Sequence, residues 1–255
     1  MSGRLAHAWD LIHLLVRKEL KLRYRGTTLG LLWSLANPLA FAFVLQVAFK
    51  RVFRVDIENY AVFILSGLFP WQWFSNSMGA GSTVFIFNAA LIKKLPFPRF
   101  SLCAATVLGD LTHFVVTLPL LGALILVTEG RLNGTVWAIG VPLLLLIQMV
   151  QTTALVTLVA TVNAYLRDLE HLVQVLLLLL FYVSPILYPT SMVPPSLHWM
   201  LYLNPISPLM ISWRSLIVDG QLSLYLPIAA AHALLAVVVA LFFYRRLEGR
   251  LAEVV

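Results

Sequence analysis

Long apolar runs limit what this chain can fold into. Residues 29–49, 102–127, 136–162 and 224–244 are dominated by Leu, Val, Ala, Ile and Phe, and each is long enough to cross a bilayer as a helix. About 20 residues at a rise of 1.5 Å span the ~30 Å hydrocarbon core. The rest of the chain offers little to balance them. Hydrophobic residues make up 60% and charged residues 11%, whereas a soluble domain sits near half and a quarter. The expected class is an all-α polytopic membrane protein, 1–255, forming a single domain.

Six spans are read from the pattern. The first is 29–49, interrupted by Ser34, Asn37, Pro38 and Gln46, and a polar loop with Lys50, Arg51, Arg54, Asp56 and Glu58 follows it. The second starts near Tyr60 and reaches toward Phe87, with Trp71 and Trp73 placed as an interfacial belt. The others are 102–127, 136–162, 172–188 and 224–244. Residues 4–25 are amphipathic instead. Leu5, Trp9, Ile12, Val16 and Leu20 recur every three or four positions, which gives one apolar stripe on a helix. Arg17, Lys18, Lys21, Arg23 and Arg25 lie off the stripe, as in a helix resting in the membrane interface. Those cations either set orientation alone or also meet an anionic, phosphate-bearing molecule. With Asp10, Glu19 and many basic residues in the first 28, no cleavable signal peptide is expected.

Residues 88–98, Asn-Ala-Ala-Leu-Ile-Lys-Lys-Leu-Pro-Phe-Pro, stand between the second and third spans. Each lysine costs about 3 kcal/mol at mid-membrane, so Lys93 and Lys94 place this short helix in water, where a partner can dock. Residues 189–219 are apolar yet broken by Pro194, Pro195, His198, Asn204, Pro205, Pro208 and Arg214. Irregular backbone at membrane depth survives only under a cover of protein or against a water-filled cavity. Two short re-entrant helices dipping from the outer face fit that rule. A seventh span is the alternative.

The basic residues choose between them. With six spans, Arg4, Arg17, Lys18, Lys21, Arg23, Arg25, Lys93, Lys94, Arg99, Arg167, Arg245, Arg246 and Arg250 share one side, and Lys50, Arg51, Arg54, Arg131 and Arg214 the other. The richer side is cytoplasmic, so both termini and residues 88–98 are expected there. The net charge of +7 thus reports topology, and nucleic-acid binding is not inferred from it. Asp110 and His113 lie one turn apart on the third span. They are a structural pair, a proton relay, or a hydrophilic patch on a conduit.

Catalytic patterns are missing from the sequence. It has no Gly-Lys-Ser/Thr phosphate loop, no His-Glu-x-x-His and no Gly-x-Ser-x-Gly. Cys103 is the single cysteine, which rules out a disulfide framework or Cys-based metal site. The chain reads as a non-enzyme whose energy comes from a partner.

Several motifs occur in order along nearly the whole chain. Arg17-Lys-Glu-Leu-Lys-Leu-Arg-Tyr-Arg-Gly-Thr-Thr-Leu-Gly-Leu-Leu-Trp-Ser-Leu-Ala-Asn-Pro38 resembles the opening of ABC-2 type permeases that export lipid-linked polysaccharide, and Leu65-Ser-Gly-Leu-Phe-Pro-Trp71 does too. Residues 88–99 resemble that family's coupling element and 163–168 its Asn-x-Tyr-x-Arg-Asp loop. Ser184-Pro-Ile-Leu-Tyr-Pro189 and Leu203-Asn-Pro-Ile-Ser-Pro208 resemble motifs near the outer gate. Asp110 and His113 match none of them.

The resemblance implies two copies of this permease with two copies of a separate ATP-binding subunit in a bacterial inner membrane. ATP and Mg2+ would be held by that partner, with no cofactor in this chain. Coupling would run through Asn88, Leu91, Ile92, Lys93, Lys94 and Leu95, where the lysines either pair with acidic residues of the ATPase or only mark the inner face. A lipid pyrophosphate would enter past Arg23, Tyr24 and Arg25, since guanidinium groups grip phosphate bidentately. The first and fifth spans would line the glycan's path, with Trp33, Phe41, Phe181, Tyr182 and Tyr188 offering ring faces to sugar C–H groups or else packing in lipid and between helices. Residues 189–219 would form the gate. The competing readings are a secondary transporter or channel built on Asp110 and His113, and an ABC-2 exporter of another lipid or a drug.

Overall fold

A computed structural model of the chain describes residues 12–18, 21, 30, 33–48, 59–94, 97–129 and 133–255. Arg23, Tyr24, Arg25, Leu95 and the loop bearing Lys50 to Asp56 lie outside the described residues. The described residues contain helices and turns and no strand. In chain order the helices are α1 (Trp33–Gln46), α2 (Tyr60–Ser82), α3 (Val84–Phe87), α4 (Ala89–Lys94), α5 (Phe100–Glu129) and α6 (Gly134–Asn163). Then come α7 (Leu169–Val183), α8 (His198–Leu203), α9 (Ser207–Ile217), α10 (Leu226–Leu247) and α11 (Leu251–Val254). Residues 12–18 are also helical, with Ile12 and Leu15 turned inward and Arg17 and Lys18 exposed.

Three helical stretches among the described residues are long and apolar enough to cross a bilayer: Phe100–Thr128, Gly134–Asn163 and Leu226–Val254. The second expected span is different in kind. α2 has the length, 23 residues, but carries Ser66, Gln72, Ser75, Asn76 and Ser77. It packs against α1, α5, α6, α7 and α9 and is buried along most of its length. A helix sheathed by other helices meets protein rather than lipid, so its polar groups can be answered inside the fold. Gly81 marks how close the sheath comes. A Cβ there would stand 2.4 Å from Val156 Cγ1 on α6.

The tryptophans expected in an interfacial belt are inside instead. Trp71 is 6% and Trp73 2% exposed. Trp73 Nε1 donates to Val107 O of α5 at 3.1 Å. Its ring stacks on Phe114 at 5.4 Å, and Phe114 meets Trp213 of α9 edge-on at 5.1 Å. Gln148 of α6 completes this layer. Its Nε2 donates to Pro70 O at 2.8 Å, and its Oε1 accepts from Trp213 Nε1 at 2.6 Å.

The fifth expected span, α7, stops at Val183, not at Tyr188 as the apolar run suggests. Ser184 precedes Pro185 and is extended, at φ −77° and ψ 144°, because a following proline disfavours the helical conformation. The chain then runs through short 3-10 turns at Thr190–Met192 and Pro195–Leu197 into α8 and α9. Asn204 shapes the approach to α9. Its Oδ1 accepts from Ile206 N at 2.9 Å and Ser207 N at 3.3 Å, while its Nδ2 donates to Ser184 Oγ at 3.0 Å. α8 leans back on the start of α10 through Tyr202, stacked on Tyr225 at 5.4 Å.

Arg214, counted above as a loop charge, is 8% exposed in α9. Its Nη1 donates to Pro185 O at 2.5 Å and Tyr188 O at 3.3 Å, and its Nη2 to Ile186 O at 2.7 Å. The guanidinium carbon lies 3.8 Å from the centre of the Phe63 ring. A Cβ at Gly67 would stand 3.0 Å from Nη2, so α2 leaves room for the fork. Arg214→Met should remove these bonds and destabilise the solubilised protein by about 3 kcal/mol, since a hydrogen bond from a charged group contributes roughly 1.5–3. Arg214→Lys should rescue little, because an ammonium lacks the planar fork. Thermal unfolding in detergent reads both, and an unchanged melting temperature in Arg214→Met would refute the role.

Candidate functional site

One cavity of about 1040 Å³ opens among α1, α2, α5 and α7. It reaches the upper end of the ~300–1,000 Å³ typical of small-molecule sites. The lining positions follow helical period. Leu68, Gln72, Ser75, Asn76 and Gly79 come from α2, Asp110, His113 and Thr117 from α5, and Gln174, Leu177, Leu178 and Phe181 from α7. Spacings of three and four put each set on one helix face.

Four of the five aromatic residues named from the sequence line this cavity: Trp33, Phe41, Phe181 and Tyr182. Phe181 is their hub. Its ring centre lies 6.3 Å from Phe41, 5.7 Å from Trp71 and 5.3 Å from Tyr182. Trp33, Phe41 and Tyr182 are exposed, and Trp71 backs the cluster from within. Tyr188 is not among the lining residues. Because α7 ends early, its hydroxyl folds back to donate to Val183 O at 2.8 Å and Tyr182 O at 3.2 Å.

The sequence reading named Asp110 and His113 but missed the rest of the polar lining. Gln72, Asn76 and Gln174 join Asp110 and His113 in the same cavity. A signal was present, since Gln174 stands two turns before Phe181 on one face of α7. Asp110 is buried, and its Oδ2 accepts from Ser77 Oγ at 3.0 Å. Gln174 reaches over Gly79, where a Cβ would lie 3.3 Å from its Nε2.

The second constellation is the short element after α2. The chain breaks at Thr83 and again at Asn88, so α3 and α4 are single short turns between α2 and α5. Asn88 starts α4 with its carbonyl, which accepts from Leu91 N and Ile92 N, each at 3.0 Å, while its Nδ2 donates to Val84 O at 2.8 Å. Ile92 is buried, Leu91 partly so, and Lys93 and Lys94 are exposed in the last turn. Cations there complement the partial negative charge of a helix C-terminus.

Motif residues brace this end of the protein. Asn163 Nδ2 donates to Ser82 O at 2.9 Å, and its Oδ1 accepts from Glu170 N at 3.1 Å, which ties the end of α2 to the start of α7. Tyr165 OH donates to Leu247 O at 2.8 Å, and Arg99 Nη1 donates to Glu248 O. Tyr244 OH donates to Glu248 Oε1 at 2.8 Å. Beyond these bonds α11 packs on α4, with Leu251 fully buried. The C-terminal tail is thus held against the short basic helix.

Tyr165→Phe should weaken that hold by about 1 kcal/mol, or roughly fivefold in the population of the released tail. Limited trypsin digestion at Arg245, Arg246 and Arg250 measures it. Digestion should speed up in proportion, and an unchanged rate would count against the brace.

Residues 10–218 match the protein-family profile described as ABC-2 type transporter. The chain is 38% identical over 255 residues to the O-antigen export system permease protein RfbA of Klebsiella pneumoniae, covering 100% of this chain and 98% of that relative. It is 38% identical over 213 residues to the protein of the same name from Myxococcus xanthus, covering 82% and 80%. The polysialic acid transport protein KpsM of Escherichia coli is 22% identical over 242 residues, 93% of each chain.

Proposed function

This chain belongs to the ABC-2 type transporter family, and on that footing we propose that it is the membrane permease of an ATP-driven exporter of lipid-linked polysaccharide. Permeases of this family work with an ABC ATP-binding subunit. In the full reading, two copies of this chain pair with two copies of that subunit, which binds ATP and Mg2+, in a bacterial inner membrane with both termini in the cytoplasm. Six spans cross the bilayer, and α8 and α9 dip in from the outer face as the gate. The supporting observation is the cavity where Trp33, Phe41, Phe181 and Tyr182 converge, in a chain matched end to end by O-antigen export permeases.

Rings suit a polymer in transit. A pyranose presents C–H faces that rest on an aromatic ring, and such contacts lack the directional demand of a hydrogen bond. The chain can therefore advance by one sugar without breaking a strong bond. Arg23 and Arg25, with Tyr24 between them, would take the pyrophosphate of the carrier lipid by charge-assisted bonds.

Coupling is read through Asn88, Leu91, Ile92, Lys93, Lys94 and Leu95. The docked face would be Lys93 and Lys94, and Ile92 with Leu91 would pass displacement into the helices behind. The breaks at Thr83 and Asn88 separate this element from α2, which walls the cavity. A proton-driven transporter built on Asp110 and His113 is not favoured by the relatives.

The joint substitution of Lys93 and Lys94 by Glu tests the reading. Surface polysaccharide in cells should fall at least tenfold, while the purified chain keeps its melting temperature. Export at the unmodified level would overturn docking at this helix. A tagged chain that purifies without any ATP-binding subunit, and exports without ATP, would overturn the exporter reading.

A further inference from the structure

The cavity carries a second set of side chains that the aromatic path leaves unexplained. Gln72 and Asn76 stand one turn apart on α2, His113 faces the same space from α5, and Gln174 enters from α7. Asn76 and Gln174 are exposed there, Gln72 and His113 half-buried. Asp110 lies behind them, its carboxylate fixed on the Ser77 hydroxyl at 3.0 Å. In a chain with 11% charged residues, amides gathered from two helices at one cavity are costly unless something polar meets them.

We infer that Gln72, Asn76, His113 and Gln174 form a hydroxyl-reading site for the sugar chain. The inference rests on the cavity being the glycan's path, and it adds what selects the cargo there. The chemistry separates ligand classes. A sugar hydroxyl both donates and accepts, and so do a carboxamide and a neutral imidazole. A planar amide can bridge two neighbouring hydroxyls. An acyl chain would use the rings and leave the amides unanswered. A cation would call for several carboxylates, whereas among the described residues this wall has Asp110 alone, already bonded to Ser77.

Position supports the division of labour. Gln174 precedes Phe181 by seven residues on α7, about 10 Å along the axis. It also lies nearer the end of that helix which Asn163 ties to α2 and the coupling element. The polar groups thus stand on the coupling side of the Phe181 cluster. A sugar would meet these amides before the ring cluster at Phe181. Neutral donors and acceptors hold a hydroxyl weakly enough for the next sugar to replace it, as conduction requires of any site on a path.

The test uses the chain with its ATP-binding partner in lipid nanodiscs. The probe is the host's own surface polysaccharide, released from its lipid by mild acid. Trp33 and Trp71 at the cavity report binding by fluorescence, and export is measured separately in cells. Gln174→Leu and Asn76→Leu each remove hydrogen-bonding capacity at an exposed position, so folding is preserved, which the melting temperature checks. Each should weaken binding roughly fivefold, the loss of about one hydrogen bond, and the pair together twentyfold or more. Phe181→Ala should weaken it independently. If Phe181→Ala weakens binding and the two Leu variants do not, the hydroxyl site is overturned and the aromatic path stands. If cells export by ATP but the free glycan never binds, the site is overturned and the exporter reading stands. If the glycan binds and the Leu variants weaken it in a chain that exports nothing with ATP, the site stands and the exporter reading falls.

Discussion

A break in a helix that is buried from water must find its hydrogen bonds inside the protein. Arg214 shows what that demands. The turn after α7 exposes the carbonyls of Pro185, Ile186 and Tyr188, and one guanidinium answers all three. Taking a cation out of water is expensive, and the structure offsets the cost with three acceptors, the Phe63 ring and space over Gly67. The same solution recurs elsewhere. Gln148 serves Pro70 and Trp213, Gln151 Nε2 donates to Pro205 O at 2.7 Å, and Asn163 serves Ser82 and Glu170. Side chains that look like polar interruptions of apolar runs are the ties that let the runs be interrupted.

This logic divides the molecule by function. Around Ser184, Asn204 and Arg214 the ties fix the irregular segment between α7 and α10. Around Asn163, Tyr165 and Arg99 they fix the segments that surround the short basic helix α4. Between the two lies α2, buried against five neighbours, with one face open to the cavity. The C-terminal tail packs on α4 through α11 and is tied by bonds from Tyr165 to Leu247 O and from Arg99 to Glu248 O.

Polar residues in the spans thus have two fates. Gln148, Gln151, Asn163 and Arg214 look inward and are consumed by structure. Gln72, Asn76, His113 and Gln174 look into a cavity. The residue types are alike, and only direction separates the roles. Trp71 and Phe181 blur the line in the aromatic set, since they pack on each other and also line the space.

The sequence by itself determined the membrane class, the all-helical build and the helices at 102–127, 136–162 and 224–244, because hydropathy and length are local properties that survive without neighbours. The family resemblance, which put the glycan's path on the first and fifth spans, singled out Trp33, Phe41, Phe181 and Tyr182. Tertiary structure alone decided that α2 is sheathed rather than lipid-facing, that Trp71 and Trp73 are internal, and that Arg214 is no loop charge. It decided too that Tyr188 turns away while Gln72, Asn76 and Gln174 turn in. Composition fixes how polar a helix is, but which of its faces meets lipid, protein or a cavity depends on the helices packed around it.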